Sequence, residues 1–128
     1  MPVTTFLEYA ASLHKAVEQV VAAGFADVLS FTIDPRSSVR GFIKSHLQFT
    51  DGSVLHFREF IDLTREQPKV MYAYHYQDAR GKLIFRYDNA AHKPPLPQRD
   101  HKHTSSGVHP SHIPTLHDVL VEILDHLR

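Results

Sequence analysis

Apolar residues recur every three or four positions in two stretches of the chain, and this spacing predicts two amphipathic helices. The first covers residues 5–23, with apolar positions at Phe6, Ala10, Leu13, Val17, Val20 and Val21. Thr5 and Glu8 have the spacing of a capping box, and Gly24 suits the left-handed residue that often follows a helix. Pro114 opens the second helix, whose apolar positions are Leu116, Val119, Leu120, Ile123, Leu124 and Leu127.

Between these helices the period changes to two, which predicts strands. Five are expected, at 27–33, 41–49, 54–61, 70–77 and 82–88. The links between them are short and polar, so neighbouring strands are expected to be antiparallel. Residues 89–113 are rich in proline, show no clear period and are expected to form an irregular loop. Residues 1–128 are therefore predicted to be a single α+β domain, a five-stranded antiparallel meander with both helices packed on one face.

The turn at 50–52 sets the register of the second and third strands. As a three-residue turn with Gly52 in the left-handed position, it creates four opposed pairs: Leu47–Leu55, Ile43–Glu59, His46–His56 and Lys44–Arg58. The first two pairs lie on one face of the sheet and the last two on the other. Glu59 then lies on the apolar face, so it is at the sheet edge, buried with a partner, or re-aimed by a bulge.

The turn at 78–81 sorts the last two strands in the same way. With four turn residues, the apolar face receives Tyr72, Tyr74, Tyr76, Leu83, Phe85 and Tyr87. The opposite, polar face receives Ala73, His75, Gln77, Ile84, Arg86 and Asp88. A row of tyrosines can stack nucleic-acid bases, but its inward position here favours core packing.

Composition narrows the classes of function. The chain has 42% hydrophobic residues, as globular proteins do, and no cysteine, which excludes disulfides, a thiol nucleophile and a cysteine-rich zinc site. It has no apolar run of membrane-helix length and no signal-peptide pattern in residues 1–25, so a cytoplasmic protein without a membrane partner is expected. Basic and acidic residues balance at 14 each, but 11 histidines make the net charge rise below neutrality.

The polar face collects the residue types that cleavage of a phosphodiester needs: a base, an acid and a cation for the developing charge. The candidate catalytic residues are His75, Asp88, His101 and His103. The candidate phosphate- or substrate-binding residues are Arg58, Arg86, His56, His46 and Lys44. RNA is the expected substrate, and the cleavage is expected to need no metal or other cofactor.

Other interpretations of the same residues stay open. The face could be merely solvated, or it could bind a component of translation or replication without chemistry. A metal-dependent hydrolase is a further alternative, because His101 and His103 lie two positions apart. Four more candidate ligands lie nearby in the sequence: His92, Asp100, His109 and His112.

Four strings of sequence resemble the TumE family, which are toxins of type II toxin–antitoxin systems. In order within residues 40–127 they are Leu-His-Phe-Arg-Glu-Phe at 55–60, Tyr-His-Tyr-Gln-Asp at 74–78, Phe-Arg-Tyr-Asp-Asn-Ala at 85–90 and His-Lys-His at 101–103. The chain departs from the family at Ala91-His92-Lys93, where members usually have a proline and paired histidines, and at Arg99-Asp100-His101, where they have Pro-His-His.

This resemblance implies a growth inhibitor that is neutralised by a cognate antitoxin, commonly a small helix-turn-helix DNA-binding protein. The departures leave His92, His101 and His103 as the histidines retained from the family pattern. RNA cleavage is inferred from the polar face and not from the family, and self-association into a homo-oligomer stays possible.

Overall fold

The computed structural model of the chain describes residues 5–90 and 99–128 and confirms the α+β class. Helix α1 spans Phe6–Ala22 and helix α2 spans Leu116–His126. Between them lie strands β1 (Ala26–Pro35), β2 (Arg40–Phe49), β3 (Val54–Asp62), β4 (Lys69–Gln77), β5 (Leu83–Asp88), β6 (His101–Thr104) and β7 (Gly107–Pro110). Neither helix of the described residues is long and apolar enough to cross a membrane.

The strands lie side by side in the order of the sequence, and every neighbouring pair is antiparallel. The predicted meander is therefore confirmed, but the described residues form seven strands and not five. The prediction of an irregular loop over 89–113 is wrong where β6 and β7 form a hairpin. These strands have only four residues each and no apolar alternation, so they carry no pattern that a sequence reveals.

Both helix starts depend on a threonine. The Thr5 hydroxyl accepts a hydrogen bond from the backbone N–H of Glu8 at 3.1 Å, and Gly24 follows α1 with a φ of +84°, as predicted. The second helix begins later than predicted, since Thr115 is its N-cap and Pro114 lies just outside. Thr115 and Asp118 form a reciprocal capping box, which satisfies the backbone amides at this end better than a proline could.

The register of the β2–β3 hairpin is as predicted, with all four expected pairs present. The β4–β5 hairpin departs from the prediction by two residues. A four-residue turn would place His75 opposite Ile84, but the register shifts beyond Tyr76 and His75 lies opposite Arg86. A shift of two positions leaves each side chain on the same face of the sheet, so residues 85–88 lie on the faces that the sequence predicts. Leu83, by contrast, lies opposite Gln77.

Both helices cover the same face of the sheet, as predicted, and we call it the inner face. Their buried side chains form one apolar cluster with the strands, including Phe6, Val17, Leu47, Leu55, Phe57, Tyr74, Tyr76, Phe85, Leu116, Val119 and Ile123. The three tyrosines of β4 are buried in it, which confirms that they are core residues. The opposite side of the sheet, the outer face, has no helix on it among the described residues.

Glu59 lies in this core with 1% of its surface exposed, and its partners decide between the three expected environments. The hydroxyls of Tyr9 and Tyr74 donate hydrogen bonds to its two carboxylate oxygens, and the Lys69 ammonium group lies 3.7 Å from Oε2. Lys69 also donates to the carbonyl oxygen of Pro114 at 2.8 Å. Glu59 is therefore buried with partners, and the network ties α1 and the approach to α2 to the inner face.

Candidate functional site

Strand pairing places the predicted site residues in two rows across the outer face. The first row, which we call the imidazole row, is His46, His56, His75, Arg86 and His103, one residue from each of β2 to β6. The second, the cation row, is Lys44, Arg58, Ala73, Asp88 and His101. All nine candidate residues belong to these adjacent rows, although they come from five strands. Strands lie about 4.8 Å apart, so neighbours in a row are in reach of one another.

The histidine rings of the imidazole row lie close together. The ring centroids of His46 and His56 are 4.4 Å apart, and those of His56 and His75 are 6.1 Å apart. Partial burial, and then the neighbouring imidazoles on both sides, lower the pKa of His56. A protonated His56 would face an imidazole on each side, so its position in the row favours the neutral form of this ring.

His75 is held between two side chains that set its tautomer. The Nη1 atom of Arg86 lies 3.3 Å from Nδ1, and Oε1 of Gln77 lies 3.2 Å from Nε2. A guanidinium group can only donate, so Nδ1 accepts and the ring proton belongs on Nε2, which donates to Gln77. Burial and the charge of Arg86 both lower the pKa of His75, whereas the Gln77 hydrogen bond opposes them. His75 is therefore a neutral imidazole with a lone pair directed at a guanidinium.

Asp88 organises the β5–β6 side of the site. It is 4% exposed, and its Oδ2 atom accepts a 2.7 Å hydrogen bond from Nε of Arg86. Nε2 of His103 lies 3.5 Å from Oδ2, and Nδ1 of His101 lies 3.8 Å from Oδ1. Burial alone would raise the pKa of Asp88, but the hydrogen bond and charge of Arg86 hold it below its usual value. The carboxylate is thus ionised between a guanidinium and two imidazoles.

The carboxylate of Asp88 and the two histidines of β6 could hold a metal ion. Asp88, His101 and His103 each offer one ligand atom, and these atoms lie within 4.8 Å of one another. Two imidazoles and a carboxylate fit a transition metal by type and number. Arg86 counts against such an ion, because its guanidinium already occupies Oδ2 of the carboxylate and adds a positive charge beside it.

The remaining metal candidates do not join this group in the described part of the chain. His109 and His112 are exposed, and Asp100 accepts a hydrogen bond from the Tyr72 hydroxyl at 2.9 Å. His92 lies outside the described residues. A metal at the predicted histidine segment would therefore depend on Asp88, which the sequence placed on another strand.

Lys44 and Arg58 form the solvent-facing end of the cation row. They are opposed on β2 and β3, and both side chains are exposed. Neither forms a salt bridge with a described residue. Their charges are therefore available to an anionic ligand without the loss of an ion pair, whereas Nε of Arg86 is already paired with Asp88.

A third row on the outer face was missed by reasoning from the sequence. Phe42, Phe60 and Met71 are paired across β2, β3 and β4, next to the cation row. We call it the aromatic row. The two phenylalanine rings are stacked, and Phe42 and Met71 are exposed. Their alternation with Lys44 and Arg58 was the available signal, since residues two apart on a strand share a face.

Comparison with known proteins identifies one family. A family model described as Toxin TumE matches residues 14–128 of the chain. This range contains all nine residues of the two polar rows and confirms the resemblance seen in the sequence. No curated protein and no solved structure gives a significant match.

Proposed function

Since this chain belongs to the TumE toxin family, we propose that it is the toxin of a type II toxin–antitoxin system and arrests growth by cleaving RNA. The observation that carries the proposal is the pair of polar rows, which brings imidazoles, guanidinium groups and a carboxylate together on the sheet face that neither described helix covers. These groups can supply a base, an acid and charge stabilisation from the protein alone.

The reaction that suits them is attack of the ribose 2′-oxygen on the adjacent phosphorus. His75 takes the proton of the 2′-hydroxyl on Nδ1, which becomes free when Arg86 turns from the ring to the phosphate. The new 2′-O–P bond forms as the P–O5′ bond breaks, and His103 gives its proton to the leaving 5′-oxygen. Arg86 and Arg58 stabilise the charge on the phosphate oxygens.

His103 suits the role of the acid better than His101 does. His103 is half-buried, whereas His101 is only 3% exposed and is enclosed beside Asp88. Asp88 lies within 4 Å of both rings and would orient them. We therefore assign His101 to positioning the carboxylate and His103 to proton transfer. His46, His56 and Lys44 extend the surface that binds the substrate.

The proposed partner is a cognate antitoxin of the helix-turn-helix type, and the proposed place of action is the cytoplasm. Both follow from the toxin family and not from any contact in the structure. An antitoxin that covers the outer face would block the RNA and neutralise the toxin at once. Self-association of the chain is not needed for the proposed chemistry, because all its residues come from one sheet.

Induced expression of the full chain in a host without the antitoxin tests the proposal. Growth should stop and cellular RNA should be cut within the same interval, and both effects should disappear with His75→Ala or Arg86→Ala. His117→Gln, on the exposed side of α2, is the matched control and should remain toxic. Growth arrest with intact RNA would refute RNA cleavage.

A second function, binding without chemistry, is favoured by the charges of Lys44 and Arg58, which form no salt bridge within the described part of the chain. A toxin that only blocks a translation or replication component should tolerate His75→Gln and His103→Gln but fail with Arg58→Glu. The Asp88–His101–His103 group favours a third candidate, a metal-dependent hydrolase. Cleavage by purified protein that persists in a chelator would rule the third out, and loss of cleavage that zinc restores would support it.

A further inference from the structure

The aromatic row is an exposed apolar surface that the proposed cleavage chemistry does not use. The rings of Phe42 and Phe60 are stacked with centroids 4.6 Å apart and planes inclined by 18°. Phe42 is 38% exposed and Met71 is 53% exposed. Large apolar side chains in contact, on a sheet face that no described helix covers, make this row a candidate binding surface.

The position of this row relates it to the polar rows. Phe42 comes two residues before Lys44 on β2, and Phe60 comes two residues after Arg58 on β3. At a rise of about 3.3 Å per residue, the aromatic row lies about 7 Å from the cation row and about 13 Å from the imidazole row. A strand of nucleic acid that crosses the imidazole row therefore reaches the phenylalanines after passing Lys44 and Arg58.

Cations surround the phenylalanines. The Arg36 guanidinium lies 5.2 Å from the centre of the Phe42 ring, and Lys44 and Arg58 flank the pair on the other side. Arg36 is itself paired with Asp34, and Arg40 is paired with Asp62, whereas Lys44 and Arg58 form no salt bridge with a described residue. The surface thus combines aromatic rings with two cations that are available to a ligand. This combination suits single-stranded nucleic acid, in which bases stack and phosphates need cations.

We propose that Phe42 and Phe60 form a stacking platform for an unpaired base of single-stranded RNA, with Lys44 and Arg58 on the phosphates between that base and the imidazole row. The inference rests on the proposed function, because it names the substrate of the same face. A duplex would not suit the platform, since its bases are stacked on one another and present no free ring face. A second copy of this chain would bring like charges together.

Binding of RNA that cannot be cleaved tests the platform separately from the chemistry. The probe is a 2′-O-methyl oligonucleotide, which lacks the attacking hydroxyl, compared with an abasic strand of the same length and with a duplex. Full-length Phe42→Leu/Phe60→Leu keeps apolar side chains but removes the stacking rings. Phe25→Leu is the matched control, because Phe25 is 43% exposed and precedes β1 at the opposite end of the sheet.

The double variant should bind the single strand roughly 5- to 140-fold more weakly, which is the range for losing one stacked base. Phe25→Leu should bind as the wild type does, and abasic RNA should not distinguish the double variant from the wild type. Equal affinity of wild type and double variant for the base-containing strand would overturn the platform. So would a loss of antitoxin binding in the double variant with RNA binding unchanged, because the surface would then be a protein interface.

A fluorescent base gives a second measurement if the double variant does not fold. Binding of a 2′-O-methyl oligonucleotide that carries 2-aminopurine to the wild-type protein should quench its fluorescence, and the single variant Phe42→Leu should reduce the quenching. Binding without any quenching would overturn the inference. Because the probe is uncleavable, a toxin that fails to cut RNA and yet quenches the base would refute the proposed cleavage alone.

Discussion

His75 accepts a hydrogen bond from Arg86, whose Nη1 atom lies 3.3 Å from Nδ1 of the ring. The two residues meet because the link 78–82 has five residues instead of the predicted four and β5 contains one extra residue, which together move Arg86 by two positions relative to the predicted register. Without these two changes His75 would lie opposite the apolar side chain of Ile84. The longer link and the irregularity in β5 thus bring a cation to the central imidazole of the row.

Arg86→Ala should raise the pKa of His75. The charge of Arg86 is the second cause that lowers this pKa, after burial, and alanine removes it while also exposing the ring. Imidazole proton shifts followed by NMR over a pH series measure the change. Arg58→Ala is the control, because Arg58 lies opposite Ala73 and should leave the His75 titration in place. An unchanged His75 pKa in Arg86→Ala would show that the charge of Arg86 does not act on His75.

His103→Gln should reduce RNA cleavage by roughly 10²- to 10⁴-fold, the range for losing a general acid. Glutamine keeps a polar side chain beside Asp88 but cannot transfer the proton. Initial rates on a defined RNA measure the loss, and His109→Gln on β7 provides an exposed histidine as control. His103→Gln should bind RNA with the affinity of the wild type while cleaving it more slowly. Weaker binding that alone accounts for the loss of activity would assign His103 to substrate binding.

The stability of the fold should fall as the pH drops below about 6.5, the ordinary value for histidine. Folding lowers the pKa of both His56 and His75, so the unfolded chain binds more protons than the folded protein in this range. A fall in pH therefore favours the unfolded state. Urea unfolding at pH 7.5 and pH 5.5 measures the difference. His56→Gln/His75→Gln should flatten this dependence, whereas His112→Gln, which is exposed, should not.

Lys69→Met should destabilise the fold by about 3–5 kcal/mol, the cost of leaving a buried charge without its partner. Glu59 would keep the two tyrosine hydroxyls but lose the nearby ammonium group. The free energy of unfolding in urea measures the effect. Arg128→Met, which removes an exposed ion pair with Asp125, should change it by less than about 1 kcal/mol. A similarly small loss for Lys69→Met would contradict a stabilising interaction between Lys69 and Glu59.

Most of the fold can be predicted from local patterns of apolar and polar residues. Helix spacing and strand alternation predict α1, α2 and β1 to β5, since both depend on which residues need burial. Strand β6 is held by backbone pairing with β5, and β7 by pairing with β6, and segments of four residues without apolar alternation do not reveal such pairing. The sequence also does not predict the extra residue in β5. A four-residue turn, and a five-residue turn followed by a bulge, are formed by similar side chains.

The sequence predicted which face of the sheet carries the candidate site residues, but not which of these residues are in contact. Alternation places His46, His56 and Arg58 on the outer face whatever the details of packing. The contacts of Asp88 with His101 and His103 need β6, which was expected to be loop. The aromatic row was visible in the alternation of β2 and β3, but exposed phenylalanines stand out only once the helices are seen to cover the other side.

The order of the strands also determines when the site is completed during synthesis. Each strand pairs with the one made before it, so the sheet can extend from β1 onward as the ribosome releases the chain. A nascent chain that ends before residue 101 has Asp88 and Arg86 but neither histidine of β6. The polar rows are therefore completed only after β6 has been synthesised, and a product interrupted before residue 101 carries the earlier strands without these two imidazoles.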